Sequence, residues 1–226
     1  MTTPDRPAIP LTLRDLGRLA YRPALEEQRL AHAAVLAGEA SGFLLLVEHE
    51  PVVTLGRRGN RAGLRDPDAL AQLGIPVVHS ERGGGVTYHG PGQLVAYPVL
   101  RLRDFSLDVR SYVVALEAVV LAVLASYGCE GRRDPAMHGV FSDHGKIASV
   151  GVRVSRGVTS HGVALNVNPD PTHWACIDPC AQPGVRAATL AAELGRIPTL
   201  AEVRERFLAA FQREFGACLR SIERTE

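Results

Sequence analysis

The alternation of apolar and polar positions divides the chain into short segments of two kinds. Between residues 21 and 40, Leu25, Leu30, Ala33, Ala34 and Leu36 recur near helical spacing, which predicts a helix. Residues 43–48 and 52–55 are apolar runs split by Pro51 and predict two strands or one bent strand. Residues 68–73 read as a short helix and 77–79 as the start of another strand. A glycine-dense segment, RGGGVTYHGPGQ, fills positions 82–93, and 94–100 is again a strand. Asp108 is placed to cap a long helix through Tyr127, which Gly128 can end. From 137 to 167, short apolar runs separated by Gly, Ser and Asn predict a meander of strands. Thr199, with Glu202 three residues on, is a capping box for a last helix to about Cys218.

Strands and helices mix without a regular βαβα rhythm. The expected class is therefore α+β, a mixed sheet with flanking helices, and not a doubly wound sheet. Residues 1–10 carry three prolines and read as a flexible tail. No linker divides 11–226, which reads as a single domain.

Composition narrows the function classes. The chain has 226 residues, 46% apolar and 22% charged, with a formal net charge of +1. That balance gives no global field for nucleic acid or an anionic membrane. The N-terminus lacks the basic and apolar pattern of a secretory signal. The longest apolar stretch, 112–124, contains Glu117 and is too short to cross a bilayer. The four cysteines, Cys129, Cys176, Cys180 and Cys218, read as free thiols of a cytoplasmic protein.

Three segments carry candidate chemistry. The first is the glycine-rich run, with five glycines in twelve residues. It is not a P-loop, because no Gly-Lys-Ser/Thr follows, and not a dinucleotide fingerprint, because a strand follows it. A tight hairpin is one reading; Arg82, His89 and Gln93 favour a pocket wall. The second is GKIASVGVRVSRGVTSHGVALNV, 145–167. Lys146 is the only lysine in the chain. A solvent-facing cation could have been arginine, whereas a proton carrier near neutral pH could not. The third is HWACIDPCAQPG, 173–184. Cys129 and Cys218 read as core filling, the default for a lone cysteine. Cys180 follows a proline in a turn-rich stretch suited to presenting a side chain. His173, Cys176 and Cys180 have ligand-like gaps, but no paired CxxC accompanies them, so zinc is the weaker reading.

Taken together, RGGGVTYHGPGQLVAYPVL (82–100), the 145–167 segment and Pro-Cys with a downstream ATL (179–190) resemble the lipoyl(octanoyl) transferase family, also called lipoate-protein ligase B. TLGR at 54–57 fits as well. The resemblance implies a biotin/lipoate protein ligase-like fold. It also implies transfer of an octanoyl group from an acyl carrier protein to a lysine of a lipoyl domain, the first step of endogenous protein lipoylation. The acceptors it implies are the lipoyl domains of 2-oxoacid dehydrogenase complexes and the glycine cleavage H protein. Cys180 matches the position that carries the acyl group as a thioester, and Lys146 the position that activates it. Arg82, Gly83, Gly84, Gly85, Val86, Thr87, Tyr88 and His89 match the acyl pocket. So do Ser149, Val150, Gly151, Gly162, Val163 and Ala164, with His161 beside them as a substrate-binding residue; the backbone N–H groups near 180 and 151 and His161 are candidate oxyanion donors. No cofactor and no metal are implied.

Two positions depart from the family pattern. Ala181 stands where glycine usually follows the cysteine, and Gly85 where the third residue of the RGG run is often polar. Rival readings on the same residues are an ATP-dependent lipoate or biotin ligase, and a non-catalytic protein that binds acyl groups or lipoyl domains. A ligase would not need a cysteine, and a binding protein would need neither Cys180 nor Lys146.

Overall fold

The structure is a computed structural model and describes residues 7–134, 137–178 and 185–221. The chain opens with strand β1 (Ile9–Leu19), helix α1 (Tyr21–Ala37) and strands β2 (Gly42–His49) and β3 (Val52–Leu55). Helix α2 (Pro67–Gln72) and strands β4 (Val77–His79), β5 (Val86–His89) and β6 (Gln93–Leu100) follow. Next come α3 (Val109–Ser126), β7 (Arg132–Arg133), β8 (Gly139–Ser142), β9 (Gly145–Ser155) and β10 (Val158–Asn166). The chain closes with α4 (Pro171–Ala175), α5 (Leu190–Leu194), α6 (Leu200–Phe215) and β11 (Ala217–Ser221).

Eight strands form one mixed sheet in the order β11-β1-β2-β6-β10-β9-β8-β7. β1 runs parallel to both β2 and β11, and the pairs from β2 onward are antiparallel. A smaller sheet, β4-β3-β5, stands beside it. Helices α3 and α6 cover one face of the large sheet, burying Leu116, Val120, Phe207 and Phe211 with Leu46, Ile147 and Leu165. Helix α1 covers the other face through Ala24, Ala31 and Val35, against Leu45, Tyr97 and Ala164. This is the α+β arrangement that the mixed pattern predicts.

Most boundaries follow local chemistry. Asp108 accepts the Ser111 N–H at 2.7 Å while Ser111 Oγ accepts the Asp108 N–H at 2.9 Å, a complete capping box. Helix α3 is longer than the apolar stretch 112–124, and its 18 residues would by length and composition suffice to cross a membrane. Its buried side belongs to the core between the sheet and α6.

Two ends differ from the sequence reading. β1 starts at Ile9, so the last two residues of the expected tail are in a strand, paired with Ala217 and Cys218. Leu11, 1% exposed, anchors that strand in the main core. The last helix stops at Phe215, not near Cys218, because Gly216 takes a left-handed turn at φ 56°. The chain then re-enters the sheet as β11.

Candidate active site

Lys146 is the second residue of β9 and is 3% exposed. The β8–β9 pairing shifts register between Val140 and Phe141, next to Lys146, and the Nζ atom lies 5.6 Å from the centroid of the Phe141 ring. The backbone of Lys146 is held from the side of residues 185–188. Its N–H donates to Arg186 O at 2.8 Å, and its carbonyl accepts the Ala188 N–H at 3.0 Å. Cys180 lies outside the described residues, as do Ala181 and the rest of 179–184. On the near side of that gap, the Asp178 N–H donates to Gly63 O.

The other cysteines divide differently from expectation. Cys176 is buried, donates to Thr172 O at 3.7 Å, and its thiol is pushed up by burial and by the Asp66 carboxylate. Cys129 is half-buried against the main core. Cys218 is exposed and not core filling, because it lies on β11 beyond the end of α6.

The glycine-rich run is a wall, as its polar residues suggested, and it contains strand β5. Arg82 is buried and donates to Thr54 Oγ1 at 2.8 and 3.0 Å, to Thr54 O at 2.7 Å and to Gly83 O at 3.0 Å. The Gly83 N–H donates to Val152 O, covering the edge of β9 beyond the short strand β8. A narrow cleft, partly open to solvent, lies between this wall and the β9–β10 pair. Arg82, Gly84, Gly85, Val86, Thr87 and His89 line it with Lys146, Ser149, Val150, Gly151, His161, Gly162, Val163 and Ala164. Gly83 and Tyr88 do not. Gly83 is spent on the β9 edge. Tyr88 points into a separate cluster with Trp174 and Ile177, its hydroxyl 2.8 Å from His173 Nδ1.

Gly162 is fixed by close packing. A Cβ there would meet Ala96 O at 2.2 Å, so only glycine lets β10 approach β6. Tyr21, Val95 and Tyr97 also line the cleft and were not singled out from the sequence. Tyr21 sits at the start of α1, and the other two sit in an apolar strand where nothing marks which side chains face a cavity.

A buried polar network backs the wall. His49 Nδ1–H donates to Leu19 O at 3.0 Å, leaving Nε2 to accept the Tyr97 hydroxyl at 2.6 Å. Gln93 Nε2 donates to Tyr88 O and to Asn166 Oδ1, so its Oε1 accepts from His89 Nδ1 at 3.0 Å. Asn166 Nδ2 in turn donates to Ala188 O at 3.0 Å and reaches Lys146 O at 3.4 Å. Burial lowers three imidazoles. His49 falls to about 4; His161 falls to about 3, with Arg82 and Arg153 adding to the effect; His89 lies well below its ordinary value. All three are neutral at physiological pH. Burial likewise raises the Tyr97 hydroxyl well above its ordinary value, so it stays a donor.

Of the residues in the zinc reading, His173 is hydrogen-bonded to Tyr88, His144 to Glu193, and His161 lines the cleft, while Cys180 lies outside the described residues.

The lipoyl protein ligase A/B catalytic domain matches residues 20–212. The chain belongs to that family. An octanoyltransferase of Solibacter usitatus (strain Ellin6076) is 47% identical over 204 residues, 90% of this chain and 92% of its own. One from Chloroflexus aurantiacus is 45% identical over 210 residues, 91% and 94% of the two chains. The chain is accordingly an enzyme of the acyltransferase class within the lipoyl protein ligase A/B family. A putative lipoate protein ligase from T. acidophilum with bound lipoic acid superposes with a TM-score of 0.72 at 19% identity, covering 97% of this chain and 90% of that one. A biotin protein ligase from Aquifex aeolicus in complex with biotin and ATP gives 0.56 at 16% identity, covering 91% and 70%. These likenesses establish the shared lipoate/biotin ligase fold.

Proposed function

We propose that this enzyme moves an octanoyl group from an acyl carrier protein to a lysine of a lipoyl domain, through a thioester on Cys180. The observation that carries the reading is the setting of Lys146. The chain's only lysine is buried at the border of a partly apolar cleft, and the segment that follows Cys180 pairs with its backbone on both sides.

The proposed chemistry balances at each step. The Cys180 thiol gives its proton to Lys146 and the thiolate attacks the donor thioester. The bond from the acyl carbon to the carrier sulfur breaks as the bond to Cys180 sulfur forms, and the departing thiolate takes the proton held by Lys146. The acceptor amine then attacks the Cys180 thioester; as the bond from the acyl carbon to sulfur breaks, the amine's proton passes through Lys146 to the departing Cys180 thiolate. A free cysteine is only a few per cent ionised at neutral pH, so a neighbouring base or cation raises the reactive fraction. The acyl group arrives activated, and one thioester replaces another at little cost.

The cleft supports the acyl specificity. Val86, Val95, Tyr97, Val150, Val163 and Ala164 give it an apolar lining, and each methylene buried there gains about 0.8 kcal/mol. Lipoyl domains of 2-oxoacid dehydrogenase complexes and the glycine cleavage H protein are the proposed acceptors, and the cytoplasm the proposed location.

The fold is shared with a lipoate-protein ligase A bound with ATP, so the ATP-dependent reading needs a direct test. Purified enzyme, octanoyl carrier protein and apo lipoyl domain should give octanoylated domain without ATP. Octanoate with ATP in place of the carrier should give none. The reverse pattern would make the protein a ligase.

A further inference from the structure

His161 breaks the pattern of its own strand. Three non-glycine residues among those described have positive φ: Ser106, Arg156 and His161. The first two occupy turns. His161, at φ 58°, lies inside β10. Such a conformation is strained for a side chain with a Cβ and persists only where the surroundings hold it.

The strain has a geometric result. Strand alternation would put His161 on the same face as Val163 and Leu165, which belong to the core under α3 and α6. Its ring instead meets Tyr97 edge-on, with centroids 6.3 Å apart, and lines the cleft. Tyr97 belongs to the opposite face, beneath α1. The left-handed backbone has turned the imidazole across the sheet.

The cause lies in the facing strand and in α1. The β6–β10 ladder runs from Gln93–Asn166 to Ala96–Val163 and then stops next to Pro98, which has no N–H. Thr159 Oγ1 bridges the gap, accepting the Leu100 N–H at 2.9 Å and donating to Pro98 O at 2.8 Å. The His161 N–H donates out of the sheet to Gln28 Oε1 at 2.8 Å. Gln28 is 1% exposed, and its Nε2 has no hydrogen-bond partner among the described residues. An N–H can be received only by the oxygen, so the amide orientation is fixed and the second donor is left buried. A glutamine kept there at that cost has a use besides filling space.

We infer that Gln28 is a positioning residue that locks His161 in its left-handed conformation, setting the imidazole as the end wall of the acyl slot and so the chain length the enzyme accepts. Lys146 is the second residue of β9, His161 pairs with Val152 six residues further along that strand, and both line the cleft. The inference rests on the cleft being the acyl slot.

The test compares wild type with Gln28→Met and Gln28→Glu. Methionine keeps the volume; it strands the His161 N–H but also removes the unpartnered donor, and the second change offsets part of the first, so the melting temperature should fall only modestly. Glutamate keeps an oxygen acceptor. In Gln28→Met the ratio of kcat/KM for a decanoyl over an octanoyl thioester should rise on the order of tenfold or more, since single methylenes discriminate on that scale. Gln28→Glu should stay near the wild-type ratio. In a His161→Gly background Gln28→Met should have no further effect, because glycine takes positive φ without support. Nitrogen-15 spectra read the link without turnover: the His161 amide and ring resonances should move in Gln28→Met. If they do not move, or if a folded Gln28→Met keeps the wild-type ratio, the inference is overturned. Wild type inactive toward octanoyl donors, with the His161 resonances still moving in Gln28→Met, would sink the transfer reading and leave the Gln28–His161 lock standing.

Discussion

Gly139 and Lys146 fit one another across the β8–β9 pair: a Cβ at residue 139 would lie 2.7 Å from Lys146 Cε and 2.3 Å from Ala148 O. Gly139 also sits at φ 134°, a region that side chains rarely enter. Gly139→Ala should therefore lower stability by about 1–3 kcal/mol and displace the lysine stem. Denaturant unfolding measures the first effect and acylation rate the second. Wild-type stability in the alanine variant would show that the lysine channel adjusts freely.

The same glycine explains a charge inside an apolar helix. Glu117 on α3 is 5% exposed, and its Oε1 accepts the Gly139 N–H at 2.8 Å while Oε2 pairs with Arg133 at 3.3 Å. Glu117→Leu would strand the Gly139 N–H, at a cost of about 1–3 kcal/mol, whereas Glu117→Gln keeps an acceptor and should cost less. Equal unfolding midpoints for the two variants would contradict this ordering.

Lys146→Arg preserves charge but puts a guanidinium, which cannot act as a base, in place of the amine. Both half-reactions, acylation by the carrier and transfer to the lipoyl domain, should fall steeply in rapid-quench assays. Loss confined to one half-reaction would assign the proton step to that half. An unchanged overall rate would remove Lys146 from the mechanism.

The buried imidazoles make stability depend on pH. His49 and His161 titrate at about 4 and about 3 in the folded protein, below the unfolded histidine value of about 6.5. Between those values the unfolded chain binds protons that the folded one does not. Stability is therefore full above about pH 6.5 and falls as pH drops towards 4, by up to about 1.4 kcal/mol per pH unit for each histidine. Melting temperatures from pH 8 to 5 should be flat and then decline. A flat profile through pH 5 would mean the imidazoles are not held neutral.

Arg57, Arg58 and Arg61 are exposed, and no ion pair engages them among the described residues. Their loop is tied to the cleft wall, since the Arg57 and Arg58 N–H groups donate to Arg82 O and Gly84 O. Arg65, the fourth arginine of that stretch, pairs with Asp178 at 2.5 Å. Under the proposed transfer reading, these positions suit docking of a carrier with an acidic surface. Changing Arg58 and Arg61 together to Glu should raise KM for the carrier-bound donor, less so at high salt, and leave a small octanoyl thioester unaffected. Equal slowing of both donors would assign the loop to the fold.

What was legible in the sequence follows from the range of the interactions involved. The caps at Asp108 and Thr199 are local chemistry, and both accept the expected backbone N–H. Glu202, expected to complete the second box, pairs with Arg196 instead. The turn at Gly216 was also local, and the glycine marked the helix end that the apolar pattern ran past. β1 was hidden because Pro10, Arg14 and Asp15 interrupt its apolar positions, and its partners β2 and β11 are distant in sequence. The cleft was legible where residues sit in one of the three segments, and Tyr21, Tyr97 and Gln28 were not, since their roles exist only once α1 lies across the sheet. Gly83 and Tyr88 belong to the run without lining the cleft: the Gly83 backbone caps the β9 edge, and Tyr88, in β5 between Thr87 and His89, points to the opposite side of that strand.

The acyl-enzyme is the central claim, and intact mass spectrometry tests it most directly. Enzyme mixed with octanoyl carrier protein, without lipoyl domain, should gain the mass of one octanoyl group. Peptide mapping should place that group on Cys180, and Cys180→Ser should lose nearly all turnover. An octanoyl group on Cys176, or full turnover with no adduct and a silent Cys180→Ala, would contradict the account.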